Sequence, residues 1–404
     1  MSPVAGAPRL SRRARELRPS DTVALDTRAK ELLAAGVDVV NLTVGEPDHE
    51  TPAAAREGAV AAIAGGLTKY TATAGTPALR RAISDALRRD CGVRYEPGDI
   101  VVSNGAKQSL YNAMMVLVDP GDEVLIPSPY WVSYPEMVRM AGGTPVFVES
   151  RPEGGYRLTA GAMRAAIGPR TRGLVLNNPA NPTGAVYRRD ELEAIVAVAL
   201  EHGLFVVSDE IYQKLVYGSA AAVSVASLSA EARRATVTVN GFSKAYAMTG
   251  WRLGYAAAEP AIAKAMADLQ SQVTSGPSSI SQEAGRAALG ADGAPLARMR
   301  EEFDDRRRYV LGRLGAMPGV EVRAVPEGAF YVFPDVSGCL GRRLGGAEVA
   351  DAAQLAAVLL EQARVAVVPG EAFGGPGHVR ISYATSMDRL EEGMNRVERL
   401  LRRS

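Results

Sequence analysis

The run Gly241-Phe-Ser-Lys-Ala-Tyr-Ala-Met-Thr-Gly-Trp-Arg-Leu-Gly-Tyr255 follows the β-branched stretch Thr236 to Val239, which sets Lys244 just beyond the carboxyl end of an expected strand. In open α/β sheets ligands lie outside the carboxyl ends of the strands, so an amine there projects into the crevice where chemistry is expected. A lone loop lysine is ordinarily a solvated charge, and only its neighbours argue otherwise. Asp209 follows the apolar Leu204 to Val207 and brings a carboxylate to a second strand end. Gly105, Ala106 and Lys107 follow Ile100 to Val102 and precede the helical stretch Gln108 to Val116, so their backbone N–H groups can form an anion site at a helix N-terminus. Arg380 stands inside the apolar strand pattern Val379-Arg-Ile-Ser-Tyr383, where a guanidinium demands an anionic partner.

Ser243-Lys244, Arg252 and Gly254-Tyr255 resemble the Schiff-base motif of the fold-type I aminotransferases, which use pyridoxal 5'-phosphate (PLP), and in particular the aspartate aminotransferase family. The resemblance covers nearly the whole chain. It runs through Gly45-Glu-Pro-Asp48, Lys69-Tyr70, Gly105-Ala-Lys-Gln108, Pro129-Tyr-Trp-Val-Ser-Tyr-Pro135, Asn181-Pro-Thr-Gly184, Asp209-Glu-Ile-Tyr212 and Gly377-His-Val-Arg-Ile-Ser-Tyr383, in the family's order. Any one of these is a weak pattern; together they are specific.

The resemblance implies a catalytic set of Lys244, Asp209 and Tyr212. Lys244 carries PLP, and Asp209 holds the proton on the pyridine ring that makes the cofactor an electron sink. Paired with that cation, Asp209 should titrate below the ordinary carboxylate range. Tyr212 and Asn181 correspond to the family's contacts to the phenolic oxygen, and Trp131 to the residue stacked on the ring. Gly105, Ala106, Lys107, Ser243 and Arg252 correspond to the phosphate site. Arg380 and Gly45 match contacts to the substrate α-carboxylate, with Asn181 and Trp131 also lining the substrate side. Tyr70 matches a residue that reaches the phosphate held by the partner subunit, which implies a homodimer with shared active sites.

Lys107 and Thr22 match positions that contact a distal carboxylate in the branch handling aspartate, glutamate and prephenate. There the match is partial, because Glu16 replaces a basic residue found in some relatives. The implied reaction is ping-pong transfer of an amino group from an amino acid, aspartate or glutamate, to a 2-oxo acid. The same scaffold also supports PLP-dependent lyases, decarboxylases and cyclases.

Plainer roles exist for each residue. Asp209 and Asn181 suit turns, Tyr212 and Trp131 suit a core, Arg380 suits a pair with one of the chain's own carboxylates, and the Lys107 ammonium suits solvent. A PLP-binding effector module fused to a DNA reader is disfavoured, since the pattern begins near Arg18-Pro-Ser20 and the charge is balanced.

The elements that must position these residues are legible. Short β-branched runs alternate with amphipathic helical stretches from about residue 50 to about 290, as in βαβ units. Expected strands are Ile100 to Val102, Glu123 to Ile126, Thr144 to Val148, Gly173 to Leu176, Leu204 to Val207, Thr236 to Val239 and Gly254 to Ala257. A charged helix, Glu301 to Leu314, leads to an α+β unit with strands at Val320 to Arg323, Ala329 to Phe333, Val365 to Val368 and Val379 to Ser382, and helices at Ala352 to Gln362 and Met387 to Leu401. The expected fold class is α/β, PLP-dependent transferase fold type I: a mostly parallel sheet flanked by helices (51–295) and a smaller α+β domain (296–404), which an N-terminal segment (1–50) joins. The Ala/Gly/Arg-biased stretches Ala220 to Arg234 and Ala284 to Arg298 read as exposed surface, and Gly341 to Gly346 and Gly370 to Gly377 as loops.

Composition bounds the function classes. With 46 Lys plus Arg against 45 Asp plus Glu, the net charge of +1 provides no field for nucleic acid or an anionic membrane. His49, His202 and His378 lack metal-ligand spacing, and Cys91 and Cys339 lie too far apart in sequence for a thiolate site by themselves. The start MSPVAGAPRL lacks a secretory pattern, and no apolar stretch approaches a bilayer span, so a cytoplasmic protein is expected.

Overall fold

The computed structural model describes residues 9–11, 14–15 and 21–402. Its strands in chain order are β1 (Val40–Asn41), β2 (Ile100–Ser103), β3 (Glu123–Ser128), β4 (Thr144–Glu149), β5 (Thr171–Asn177), β6 (Phe205–Asp209), β7 (Thr236–Gly241), β8 (Gly254–Ala257), β9 (Tyr331–Val332), β10 (Arg343–Leu344), β11 (Ala347–Glu348), β12 (Val365–Ala366), β13 (Val368–Pro369) and β14 (Val379–Ser382).

β2 to β8 form one sheet in the order β2-β8-β7-β6-β5-β3-β4. All seven expected strands are present. Neighbours run parallel except β8, which is antiparallel to both β2 and β7. β2, β7 and β8 are buried along their whole length, as a sheet covered on both faces requires. On one face Val101, Val237, Val239 and Ala256 meet Leu110, Ala113 and Met114 of helix Ala106–Leu117. The alternate residues Ile100, Val102 and Ala257 face the other way, toward Leu79, Ile83 and Leu87 of helix Pro77–Cys91. That helix begins at Thr76, whose side chain accepts from the Leu79 N–H, has Pro77 in its first turn, and ends at Gly92 with φ 69°.

The consequence for the site is one of edges. The carboxyl ends of β2, β3, β5, β6 and β7 open on the same side, and the reversed β8 begins there too. Between β7 and β8 the chain makes a single excursion, 242–253, closed at its base by the bond from the Phe242 N–H to the Leu253 carbonyl.

In the last third, β13, β14 and β9 form an antiparallel sheet, and β12 pairs in parallel with β1 from the N-terminal segment. Helix Asp21–Ala34 adds Ala29, which packs with Val39 against Leu360 and Ala366. Three expectations are corrected. Val320 to Arg323 is no strand, making only the isolated bridge Glu321 to Asp335. Val365 to Val368 breaks in two, because its halves serve different partners, β1 and β14. The stretch from Ala284 is not exposed surface: Ala284, Gly285 and Ala288 are buried in helix Ser279–Gly290, and a Cβ on Gly58 of the facing helix would come within 2.7 Å of the Ala287 Cβ. Its small residues let two helices approach closely. Ala232, in the other biased stretch, is buried as well.

Among the described residues no helix is long and apolar enough to cross a membrane, and no group of His, Cys, Asp or Glu could hold a metal ion.

Candidate active site

A cavity of about 420 Å³ lies at the carboxyl edge of the sheet, under the N-terminal segment and β14. Gly45, Ala106, Lys107, Trp131, Asn181, Asp209, Tyr212, Ser243, Lys244, Arg252 and Arg380 all line it, so residues scattered over more than 300 positions of sequence converge on one space.

Lys244 stands on the excursion between β7 and β8, and its Nζ donates to the Gly45 carbonyl. Burial, opposed chiefly by the carboxylate of Glu46, brings its ammonium pKa down to about 8. Glu46 is held by the Thr249 hydroxyl at 2.7 Å. The turn it belongs to is moored to helix Ala294–Leu314 through Asp48, which accepts from Arg306 at 2.7 Å.

Asp209 ends β6 and is only 4% exposed. Its Oδ2 accepts from the Tyr134 hydroxyl at 2.7 Å and its Oδ1 from the Ile211 N–H at 3.2 Å. Burial outweighs these bonds and the charge of Lys244, and raises its pKa to about 6. The depression expected from the sequence refers to the carboxylate paired with a ring cation, a partner the chain itself does not supply among the described residues. Among the described residues none of the ion pairs includes Asp209.

Arg380, on β14, is the complementary case. It is 4% exposed and lies over the rings of Tyr331 and Phe373, with ring-centroid distances of 4.5 and 4.9 Å. Nη1 donates to Asn181 Oδ1 at 3.1 Å and Nη2 to the Thr43 carbonyl at 2.7 Å, while buried Nε has no partner among the described residues. The carboxylate pair considered as a plainer role is not formed among the described residues. Arginine can only donate, so the Asn181 atom facing it is the oxygen, and the amide NH₂ is left for the cavity. Asn181 itself is set by Asn177, whose Oδ1 accepts from the Asn181 N–H at 2.8 Å and whose Nδ2 donates to the Asp209 carbonyl at 3.0 Å.

At the far side, Gly105 caps helix Ala106–Leu117 with φ 85°, and a Cβ there would lie 2.6 Å from Arg252 Nη2. Glycine is favoured here by the positive φ, and a larger residue would also have to push the guanidinium aside. The first-turn N–H groups of Ala106 and Lys107 have no preceding turn to bond. With Arg252 and the buried Ser243 beside them they form an anion cradle. Lys107 also has its ammonium 4.9 Å from the Trp131 ring centroid, and partial burial followed by the charge of Arg252 lowers its pKa.

The Tyr212 and Tyr331 hydroxyls are 3.0 Å apart, and burial raises both pKa values. Sequence reasoning missed Tyr331, Tyr134, Asn177, Glu46 and Thr249 as site residues. Tyr134 and Glu46 lay inside motifs already singled out; Tyr331 and Asn177 gave no local signal. Tyr70 is not in this cavity, and its side chain is 98% exposed. Thr22 falls in helix Asp21–Ala34, but its side chain, like Glu16, lies outside the described residues. His49 and His378 are occupied elsewhere, with Glu302 and Asp48 and with Tyr156 respectively.

The chemistry on offer is coherent. A buried carboxylate and a buried guanidinium, neither ion-paired among the described residues, face one cavity together with an amine and an anion cradle. Unpaired buried charges are costly unless a ligand completes them. The complement is a ligand, or a pair of ligands, presenting a cation, a phosphate-like anion and a carboxylate.

A family model for aminotransferase class I and II matches residues 37–397. The chain is 46% identical to the aspartate aminotransferase of Geobacillus stearothermophilus, over 97% of this chain and 99% of that protein. It is 47% identical to the aspartate/prephenate aminotransferase of Cereibacter sphaeroides, over 95% of this chain and 96% of that one. Among solved structures, the aspartate aminotransferase from Rhizobium meliloti matches with a TM-score of 0.95 at 43% identity, covering 98% of this chain and 100% of that chain. The Thermus thermophilus aspartate aminotransferase with maleate matches with a TM-score of 0.92 at 45% identity, over 98% and 100%.

Proposed function

The chain belongs to the class I and II aminotransferases and catalyses transamination, and from that premise we propose that it holds PLP in this cavity and takes aspartate or glutamate as amino donor in a ping-pong exchange with a 2-oxo acid. The observation that carries the proposal is a pair of buried ionisable groups, Asp209 and Arg380, neither ion-paired among the described residues, facing one cavity that also contains Lys244. PLP supplies an electron sink for the bond broken at the substrate Cα.

The chain's own residues do the rest. Lys244 is the covalent anchor and, once displaced, the general acid and base that moves the proton; an ammonium pKa brought down to about 8 suits both tasks. Asp209 holds the ring proton. The Asn181 amide NH₂ and the Tyr212 hydroxyl serve the phenolic oxygen, and Trp131 covers the ring. The N–H groups at Gly105 to Lys107, with Ser243 and Arg252, hold the phosphate. Arg380 takes the substrate α-carboxylate, with the Gly45 backbone beside it. Lys107 and Thr22 are assigned to the distal carboxylate.

The exposed Tyr70 cannot serve its own cavity, which supports a homodimer in which it completes the partner subunit's site. Val60, Ile63, Leu67 and Val273 are exposed apolar residues of the kind such a contact covers. Residues 1–50 and 296–404 are read as one unit and 51–295 as the other, supported by the β1–β12 pairing. The two free cysteines fit a reducing, cytoplasmic setting.

The test is a single half-reaction. Mixed with excess aspartate or glutamate, the PLP-loaded protein should yield one equivalent of 2-oxo acid per site and no ammonia, and a panel of 2-oxo acids should then restore it. Catalytic ammonia or carbon dioxide release would instead assign a lyase or decarboxylase, and preference for aromatic or basic donors would overturn the acidic substrate.

A further inference from the structure

Asp209 can hold a ring proton on a partner only if the proton stays on that partner and the carboxylate stays charged. The site works against this. Asp209 is buried at the end of β6, and the positive charge that works against its neutralisation is the Lys244 ammonium, a weak influence and one that must change its own state during the reaction. Two donors stand against burial: the Ile211 N–H at 3.2 Å, which is fixed backbone, and the Tyr134 hydroxyl at 2.7 Å. The second is the shorter and, among the described residues, the only one a side chain supplies.

Tyr134 is otherwise placed as a core residue. It is 2% exposed, lies in the helix Ser133–Met140, and is packed edge-on against Trp131 with ring centroids 5.3 Å apart. Its own N–H donates to the Trp131 carbonyl at 3.1 Å, so the same turn fixes both aromatic residues. A phenylalanine would fill that volume. Among the described residues the hydroxyl has one partner, Asp209 Oδ2, and burial together with the Asp209 charge keeps its proton in place. It is a permanent donor aimed at the one carboxylate whose charge matters.

We infer that Tyr134 is a positioning residue that keeps Asp209 anionic through its hydrogen bond to Oδ2, and so decides whether the proton of the pair sits on the cofactor ring or on the carboxylate. No bond is made or broken by Tyr134. It acts through Asp209, and the inference rests on the cofactor reading given above.

The experiment uses the full-length protein loaded with PLP carrying ¹⁵N in its ring. In the unmodified protein the ring nitrogen should resonate as a protonated pyridinium. Tyr134→Phe should move that resonance toward neutral pyridine and weaken PLP binding by roughly 10- to 100-fold, the worth of one hydrogen bond to a charged group. Tyr134→His, which retains a ring N–H donor, should bring the resonance part of the way back. In an Asp209→Asn background, Tyr134→Phe should add little to the loss of affinity, because the two residues act as one unit. An unchanged ¹⁵N resonance in a folded Tyr134→Phe protein would overturn the inference, as would equal losses from Tyr134→Phe with Asp209 intact and in the Asp209→Asn background. A pyridinium signal in the unmodified protein with no response to Tyr134→Phe sinks this inference alone. An unmodified protein that does not take up PLP sinks the cofactor reading with it.

Discussion

Replacing Arg380 with lysine keeps the charge and removes the fork. The guanidinium has five N–H donors, of which one each goes to Asn181 Oδ1 and to the Thr43 carbonyl, while Nε is unpartnered among the described residues. Enough donors remain for a two-point grip on a carboxylate. A lysine ammonium in the same space can offer one bond to substrate while it also answers Asn181 and Thr43. The loss is therefore about one charge-assisted hydrogen bond, ~1.5–3 kcal/mol, or roughly a 10- to 150-fold fall in kcat/KM. Arg380→Ala removes both bonds and should cost about 10²- to 10⁴-fold by the same arithmetic. The assay compares aspartate with β-alanine, which is aspartate without its α-carboxylate, in single-turnover conversion of the PLP-loaded protein. The unmodified enzyme should favour aspartate strongly, and Arg380→Lys should compress that preference by lowering the aspartate rate alone. Aspartate turnover within threefold of the unmodified enzyme, or an equal loss on both substrates, would refute the assignment of Arg380 to the α-carboxylate.

Three further outcomes follow from the same site. Lys107→Ala should lower kcat/KM for aspartate or glutamate by roughly 10- to 150-fold and affect neutral amino acids of similar size far less; equal losses would transfer Lys107 to the cofactor. In PLP-free protein, Asp209 has a folded pKa of about 6 against an ordinary 3.8, so stability is lost as pH rises through that window. Asp209→Asn should accordingly raise the melting temperature at pH 8, by up to about 3 kcal/mol of stability, and bring no gain below pH ~4, as thermal melts at the two pH values can read. Mixing inactive Tyr70→Ala with inactive Lys244→Ala should recover activity, because a hybrid dimer contains one site with both Lys244 and the partner subunit's Tyr70; no recovery after subunit exchange would end the shared-site reading.

How much of this was legible depended on whether the signal was local. The seven strands of the large sheet were readable because each is a short, mostly apolar run bounded by turns, and even the edge strand β4, largely exposed or half-buried, keeps that pattern. The last third was less so. Val320 to Arg323 has the composition of a strand but one bridge to Asp335, and the Val365 to Val368 run gives no hint that its halves pair with β1 and β14. Asp209 and Arg380 drew notice as charged residues at the end of, or within, an apolar run, and Lys244 as an amine just past a strand end, but it was the resemblance of the surrounding motifs that assigned all three their roles. Tyr331 was not, since an aromatic in an aromatic-rich strand looks like core, and its role arises only from a hydroxyl 119 residues away in sequence on Tyr212. The burial that works against the charge of Asp209 was not foreseen either. Pairing can be guessed from a motif, whereas the depth of burial that opposes it is a property of the assembled fold.

The excursion between β7 and β8 also sets a rule for length variation. Surface loops ordinarily absorb insertions, since a longer closure costs little entropy. This one cannot. Its base is tied from Phe242 to Leu253, its interior from Met248 back to Ser243, and its crown by Trp251 Nε1 to Thr51 and by Thr51 to the Ala247 carbonyl. Lys244 and Arg252 hang from the same short arc, one reaching the Gly45 carbonyl and the other packed against Gly105. One added residue between them would rotate the amine or the guanidinium out of the cavity with no slack to take up the change. Scanning single-residue insertions along the chain should find 244–252 among its least tolerant stretches, less tolerant than the exposed hairpin tip at Gly345-Gly346, where a longer loop meets only solvent and the side chain of Gln362.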